Sequence, residues 1–274
     1  MELSRALFDK DGYAGPYPLF SHSQTKNILK YSSKFPERLF PWIKGRHSVD
    51  KCIADIGKHP AIISELQKIM GNDILLWGSQ IIQQKPGKKH NWHMDFEHTV
   101  WDGVSVWLAL QNVQAQESIS VISGSHLLNV HPAELKSEGL DQTDSQSVLE
   151  AAKRLSPESE LVNLDIHDGE FFIFEGKAWH GTKNSTDKVR YALLLQYCRP
   201  DQKVRALKDV SYPHVKWHSF RPDCLLVSGE DKFKVNKVIR SNKVGSLQKK
   251  FMRGSVGRGG EGKRRWKCLW RGCS

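Results

Sequence analysis

Three short stretches of this 274-residue chain carry side chains able to hold a metal ion and to steer an anion. In Asn91-Trp92-His93-Met94-Asp95 an imidazole and a carboxylate stand two residues apart. Residues i and i+2 of an extended strand share a face, so one strand end can offer a ring nitrogen and a carboxylate oxygen to the same ion. With twelve histidines in the chain, that spacing alone is within reach of chance. A second imidazole, His180, comes in Trp179-His180-Gly181-Thr182, read as the close of a late strand that begins with Phe171-Phe172-Ile173-Phe174. Arg190 follows ten residues later and opens the apolar run Tyr191-Ala192-Leu193-Leu194-Leu195. A guanidinium at the mouth of such a strand is costly to desolvate unless it meets a carboxylate, which it can grip with two parallel bonds. Two imidazoles and one carboxylate on one face, with the remaining positions open, suit a non-haem iron(II) ion.

The elements that must position these groups are short. The first 72 residues read as helices and loops, with helices at 23–31 and 60–70. In the second helix Ile62, Ile63, Leu66, Ile69 and Met70 recur at helical spacing until Gly71-Asn72-Asp73 stops the pattern. β-like runs follow at 74–77 and 79–83, ending at the turn Lys85-Pro86-Gly87-Lys88, then at 104–110, 118–122, 171–174 and 191–197. Many short strands separated by turn signals predict a mainly β sandwich or jelly roll rather than a parallel α/β sheet. Residues 127–160 interrupt the strands with polar sequence and one helix at 147–155, an insertion that reads either as a lid over a site or as a surface excursion.

Taken in order, these pieces resemble the iron(II)/2-oxoglutarate-dependent dioxygenases, and within them the phytanoyl-CoA dioxygenase-like family. The resemblance runs over about residues 5–200 and is carried by Phe8-x-x-Asp11-Gly12-Tyr13, Lys85-Pro86-Gly87 ahead of Trp92-His93-x-Asp95, Trp107-x-Ala109-Leu110, Gly124-Ser125-His126, and His180 with Arg190 ten residues on. It implies a double-stranded β-helix (jelly roll, cupin-like) with N-terminal helices. It implies iron(II) on His93, Asp95 and His180, and the distal carboxylate of 2-oxoglutarate on Arg190 with help from Thr182. Gln83, Lys85, Trp107 and Ser120 match positions that line the cosubstrate pocket. O2 is the other cosubstrate, 2-oxoglutarate leaves as succinate and CO2, and the substrate is a small organic molecule with an acyl, amino-acid or natural-product scaffold. Halogenases built on this ligand set replace the carboxylate with Gly or Ala; this chain keeps Asp95, which favours hydroxylation and leaves desaturation, epoxidation and ring closure open.

Other histidines compete for attention. His90 is three residues from His93 and, in an extended strand, faces the other side. His126 fits the Gly-Ser-His turn as a structural residue. His98, with Glu97 and Trp101, is a candidate for the substrate mouth beside the alternative of a plain surface histidine.

The formal net charge of +11 is unevenly placed. Residues 249–274 hold nine Lys/Arg and one acid, a net +8, while the other 248 residues carry only +3. We therefore divide the chain into a single jelly-roll oxygenase domain at 1–248 (helical part about 1–72, β core about 73–200, extension 201–248) and a basic, Gly-rich flexible tail at 249–274. No run of eighteen apolar residues occurs and five cysteines are odd in number, so the expectation is a cytoplasmic protein with free thiols and no membrane partner. Nucleic acid is not the partner expected for the near-neutral body. Two rivals remain at this point: a catalytically silent jelly-roll binding protein, and a nucleic-acid oxygenase anchored by the tail.

Overall fold

Helix α1 (Glu2–Asp11) runs through Gly12, at φ +80°, into strand β1 (Tyr13–Pro18). α2 (His22–Ser32) starts at a capping box in which the Ser21 side chain accepts from the Gln24 backbone N–H and the Gln24 side chain accepts from the Ser21 N–H. Asp50 caps α3 (Lys51–Ile56), and α4 (Pro60–Met70) begins on a proline that needs no N–H partner there. Ile62, Leu66 and Ile69 form its buried stripe. The computed structural model describes residues 2–33, 35–36, 39–95, 102–114, 119–205, 221–240 and 244.

The strands that follow are β2 (Ile74–Gln84), β3 (Lys89–His93), β4 (Val104–Gln111) and β5 (Ser120–Ile122). After α5 (Ser145–Leu155) come β6 (Leu161–Asn163), β7 (Glu170–Glu175), β8 (His180–Lys183), β9 (Arg190–Cys198), β10 (Asp223–Ser228) and β11 (Lys237–Ile239). They form a seven-stranded sheet in the order β1-β7-β4-β9-β2-β10-β11 and a four-stranded sheet in the order β3-β8-β5-β6. The jelly roll expected from the spacing of strands is the fold.

Two readings change. The N-terminal 72 residues are not all helix and loop: β1 pairs antiparallel with β7 at the sheet edge, where Pro16 and Pro18 remove no ladder bond that a central strand would need. The two runs at 74–77 and 79–83 are one strand, whose register against β9 shifts between Leu76 and Gly78 and so breaks the alternation that identifies a strand in sequence.

Alternation on the large sheet sends Val104, Val106, Leu108, Phe171, Ile173, Leu193 and Leu195 outward onto Phe8, Ile28, Ile53, Ile62 and Leu66 of the helices. It sends Trp107, Ala109, Phe172, Phe174, Ala192 and Leu194 inward, toward the small sheet. The insertion packs against the small sheet. Leu135, Leu140, Val148, Ala151 and Ala152 pack on Trp92, Ile122 and Trp179, which buttresses the small sheet from outside. Cys52, Cys198 and Cys224 are buried free thiols. Among the described residues no helix is long and apolar enough to cross a membrane. Residues 249–274 lie outside the described residues.

Candidate active site

β3 and β8 bring the two histidines face to face: His93 pairs with His180, and His90 with Thr182. Three steps along β3 match two along β8, so β3 carries an extra residue between the pairs. That bulge reverses the simple alternation, and the His90 ring lies 4.2 Å from the His93 ring instead of on the opposite side. His180 opens its own strand in the small sheet rather than closing the phenylalanine-rich strand β7; Phe174 of β7 packs against its ring at 4.6 Å.

The rings of His93 and His180 are 4.2 Å apart, and Asp95 Oδ1 is 3.9 Å from the Nε2 atom of each. One ligand atom from each of the three residues lies within 4.8 Å of the others. His93 Nδ1 is 2.8 Å from the carbonyl of Asn91, and His180 Nδ1 is 2.9 Å from that of Ala178, in both cases two residues upstream. A carbonyl can only accept, so each Nδ1 carries the proton and each Nε2 turns a lone pair toward Asp95. The other carboxylate oxygen, Oδ2, accepts from the Ser105 hydroxyl at 2.5 Å, which leaves Oδ1 for the shared point. This donor set fits a divalent iron ion: two neutral imidazoles, one oriented carboxylate, and outer hydrogen bonds on all three.

The electrostatics agree with that reading. Burial by itself would raise the Asp95 carboxyl, but Lys44, His180, His93 and the Ser105 hydroxyl outweigh it and hold the group at about 2. Burial drives His93 down to about 4, helped by the neighbouring His180, and burial also lowers His180. At neutral pH the cluster is thus two neutral rings and one anion, the protonation state a cation requires.

A second group forms beside it on the large sheet. Arg190, 2% exposed, donates to Gln84 Oε1, to Thr182 Oγ1 and to the Lys183 carbonyl, and its guanidinium lies 5.9 Å from the Trp107 ring centroid. Gln84 is fixed in turn by its amide nitrogen, which donates to the Lys88 carbonyl at 2.8 Å and the Thr182 carbonyl at 3.3 Å. Arg190, Thr182 and Trp107 therefore come together.

Three other sequence candidates do not. Gln83 is exposed, because strand alternation gives the inward position to Gln84. Lys85 is exposed in the turn after β2. Ser120 pairs with Gly181 and shares the outer face of the small sheet with Ile122; its hydroxyl donates to Asn163 Oδ1 at 2.6 Å, away from the interior. Glu97, His98 and Trp101 lie outside the described residues.

Sequence reasoning missed Gln84, Ser105 and Lys44. Ser105 stands two residues before Trp107 and so on the same inward face, a signal available from alternation. Lys44 is brought in by a loop whose Lys44 carbonyl accepts from the Ser79 N–H at 2.7 Å, and no local pattern announces it.

No curated protein matches the chain. Among solved structures it is similar to CytC3 with Fe(II) and alpha-ketoglutarate, at 19% identity over 88% of this chain and 93% of that one, with a TM-score of 0.63. It is also similar to the apo form of the non-heme monooxygenase ThoJ, at 18% identity, 86% of each chain and a TM-score of 0.61. A third likeness is to the non-heme alpha-ketoglutarate-dependent epimerase SnoN from nogalamycin biosynthesis, at 14% identity, 78% of this chain and 92% of that one, with a TM-score of 0.55. At these identities the likeness concerns the fold. The sequence profile described as phytanoyl-CoA dioxygenase (PhyH) matches residues 40–192, more than half of the chain. The chain belongs to the phytanoyl-CoA dioxygenase family, whose enzymes are iron(II)/2-oxoglutarate-dependent non-haem oxygenases.

Proposed function

We propose that this enzyme hydroxylates a small organic metabolite, with iron(II) held by His93, Asp95 and His180 and with 2-oxoglutarate converted to succinate and CO2. The observation that carries the assignment of ligands is the locked pair of imidazoles: both Nδ1 atoms are tied to carbonyls while both Nε2 atoms converge on Asp95 Oδ1. Bound iron(II), O2 and 2-oxoglutarate supply the oxidising power that removes hydrogen from a C–H bond.

The chain's own residues bind and orient. Arg190, already aligned by Gln84, Thr182 and the Lys183 carbonyl, receives the distal carboxylate of 2-oxoglutarate beside the Trp107 ring. Lys44 keeps the interior positive toward an anionic cosubstrate and holds Asp95 ionised. Ser105 fixes which oxygen of Asp95 faces the ion. The apolar walls from Phe172, Phe174, Ala192 and Leu194 keep water from the reacting groups. The retained carboxylate at position 95 supports hydroxylation over halogenation. The epimerase SnoN, of similar fold, is in complex with nogalamycin RO, a small organic molecule, which supports a small organic substrate here.

Anaerobic titration with iron(II) and 2-oxoglutarate tests the reading. A visible charge-transfer band should form in the wild-type protein and be lost in His93→Ala and His180→Ala. A folded protein that develops no band, or a band indifferent to both substitutions, would sink the assignment. Succinate release on adding O2, coupled to a substrate product heavier by one oxygen atom, then reads the reaction.

A further inference from the structure

We infer that Gln196 is the substrate-recognition residue, and that it takes a group offering a hydrogen-bond donor and acceptor side by side, a carboxamide or lactam. The inference rests on the iron site proposed above.

Gln196 lies on β9, two residues past Leu194 and four past Ala192, both of which face the interior between the sheets. It shares their face and is fully buried, yet neither Oε1 nor Nε2 has a hydrogen-bond partner among the described residues. A buried amide with both ends unmet is rare in a folded protein and costs stability, so its retention calls for a partner that arrives later.

Its neighbours say where that partner sits. Across β4, Gln196 pairs with Ser105, whose hydroxyl is committed to Asp95. One strand spacing, about 4.8 Å, therefore separates the backbone of Gln196 from that of the residue that orients an iron ligand. Across β2 it meets Gly78, where a Cβ would fall 2.8 Å from Gln196 Oε1. The absence of a side chain at position 78 is what lets the amide lie there. Arg190 opens the same strand six residues earlier, about 20 Å away along β9. The cosubstrate anchor and the unmatched amide thus lie at opposite ends of one strand face, with Ser105 and Asp95 at the amide's level. A cosubstrate gripped by Arg190 reaches the metal from one end, and Gln196 is left to the molecule entering from the other. A primary amide pairs best with its own kind: Oε1 accepts an N–H while Nε2 donates to a C=O.

Two measurements test this. Metal-free Gln196→Met and Gln196→Leu lose no hydrogen bond, so thermal denaturation of the better tolerated variant should match the wild type or rise by about 2–4 °C. A fall in both variants would show that the amide serves the fold and would overturn the inference. The second measurement uses the iron-loaded wild-type protein with a panel of small carboxamides and lactams, each paired with the ester or lactone of the same skeleton. The amides should stimulate 2-oxoglutarate turnover at least about tenfold more than their partners, since a site built around a hydrogen bond rejects the analogue that lacks it. Gln196→Met should erase that preference. Equal responses to amides and esters in the wild type, or a preference that survives the substitution, would overturn it. The charge-transfer band separates the two proposals. Its absence from the wild type defeats the iron assignment, whereas a normal band in both proteins with no amide preference in the wild type defeats only the role of Gln196.

Discussion

Gln84 and Gln196 are both buried amides on the inner face of the large sheet, on the adjacent strands β2 and β9, and their surroundings are opposite. Gln84 is engaged at both ends, donating to two carbonyls and accepting from Arg190 and Thr182. Gln196 is engaged at neither among the described residues. The first end of the interior is a closed hydrogen-bond network around Arg190, which suits its proposed role as anchor for a cosubstrate that never varies. The second keeps an unmet polar group, which suits the role proposed for Gln196 with a substrate that brings the complement. Burial is the same in the two cases; hydrogen-bond completion is what distinguishes a preformed anchor from a recognition surface.

The largest test removes what divides the two ends. Asp95→Ala takes away the single anion that gathers both Nε2 atoms, and iron-dependent succinate formation should fall to background. Retained turnover would mean that the carboxylate is not a ligand. Ser105→Ala frees Asp95 Oδ2 and should weaken iron binding by about 10–100-fold while the protein stays folded, which calorimetric titration against circular dichroism can read.

The sharpest version of the comparison is a matched pair of substitutions. Gln84→Leu strands the Lys88 and Thr182 carbonyls and part of the Arg190 guanidinium, and should cost about 1–3 kcal/mol in urea denaturation, where Gln196→Leu costs nothing. Equal costs would erase the distinction between the two amides.

A last effect, seen only as a difference between two pH values, lies on the sheet's outer face, at Glu175. Burial raises this carboxyl to about 7, against the opposing Lys177 backbone N–H at 2.6 Å and the Lys177 charge. Between its ordinary 4.5 and 7, the folded protein keeps a proton that the unfolded chain has released, so this group's contribution to stability is full below 4.5 and declines as pH rises to 7. Glu175→Gln should remove that decline, improving stability at pH 8 relative to pH 4.5 by about 1–3 kcal/mol. Chemical denaturation at the two pH values would decide it, and an unchanged difference would return Glu175 to ordinary titration. His47 works in the reverse sense: burial lowers it to about 4, so its contribution is full above 6.5 and is lost as the medium acidifies toward 4.

How far these residues were readable follows from the periodicities involved. α4 was legible to the residue because a stripe at helical spacing, an opening proline and a closing glycine all agree. The metal-site candidates and Arg190 were legible because their order along the chain is distinctive even where each piece is common. Gln83 was read in place of Gln84 because a strand carries a period of two, so an error of one residue turns the side chain from the interior to solvent. Ser120 was misread for a related reason: it belongs to a three-residue strand, too short to show which face is buried. The bulge before His93 defeated simple alternation altogether, and placed His90 beside the ligand it was expected to avoid.

By itself the sequence determined which chemistry the chain could carry, two of the four helices that cover one face (α2 and α4), and the mainly β architecture, since residue types, helical spacing and turn residues are local properties. The tertiary structure alone decided which side of each strand looks inward, that a lysine 49 residues before His93 acts on its partner carboxylate, and that one buried glutamine is satisfied while another is not. Those depend on register, bulges and the approach of distant segments, which no window of neighbouring residues records.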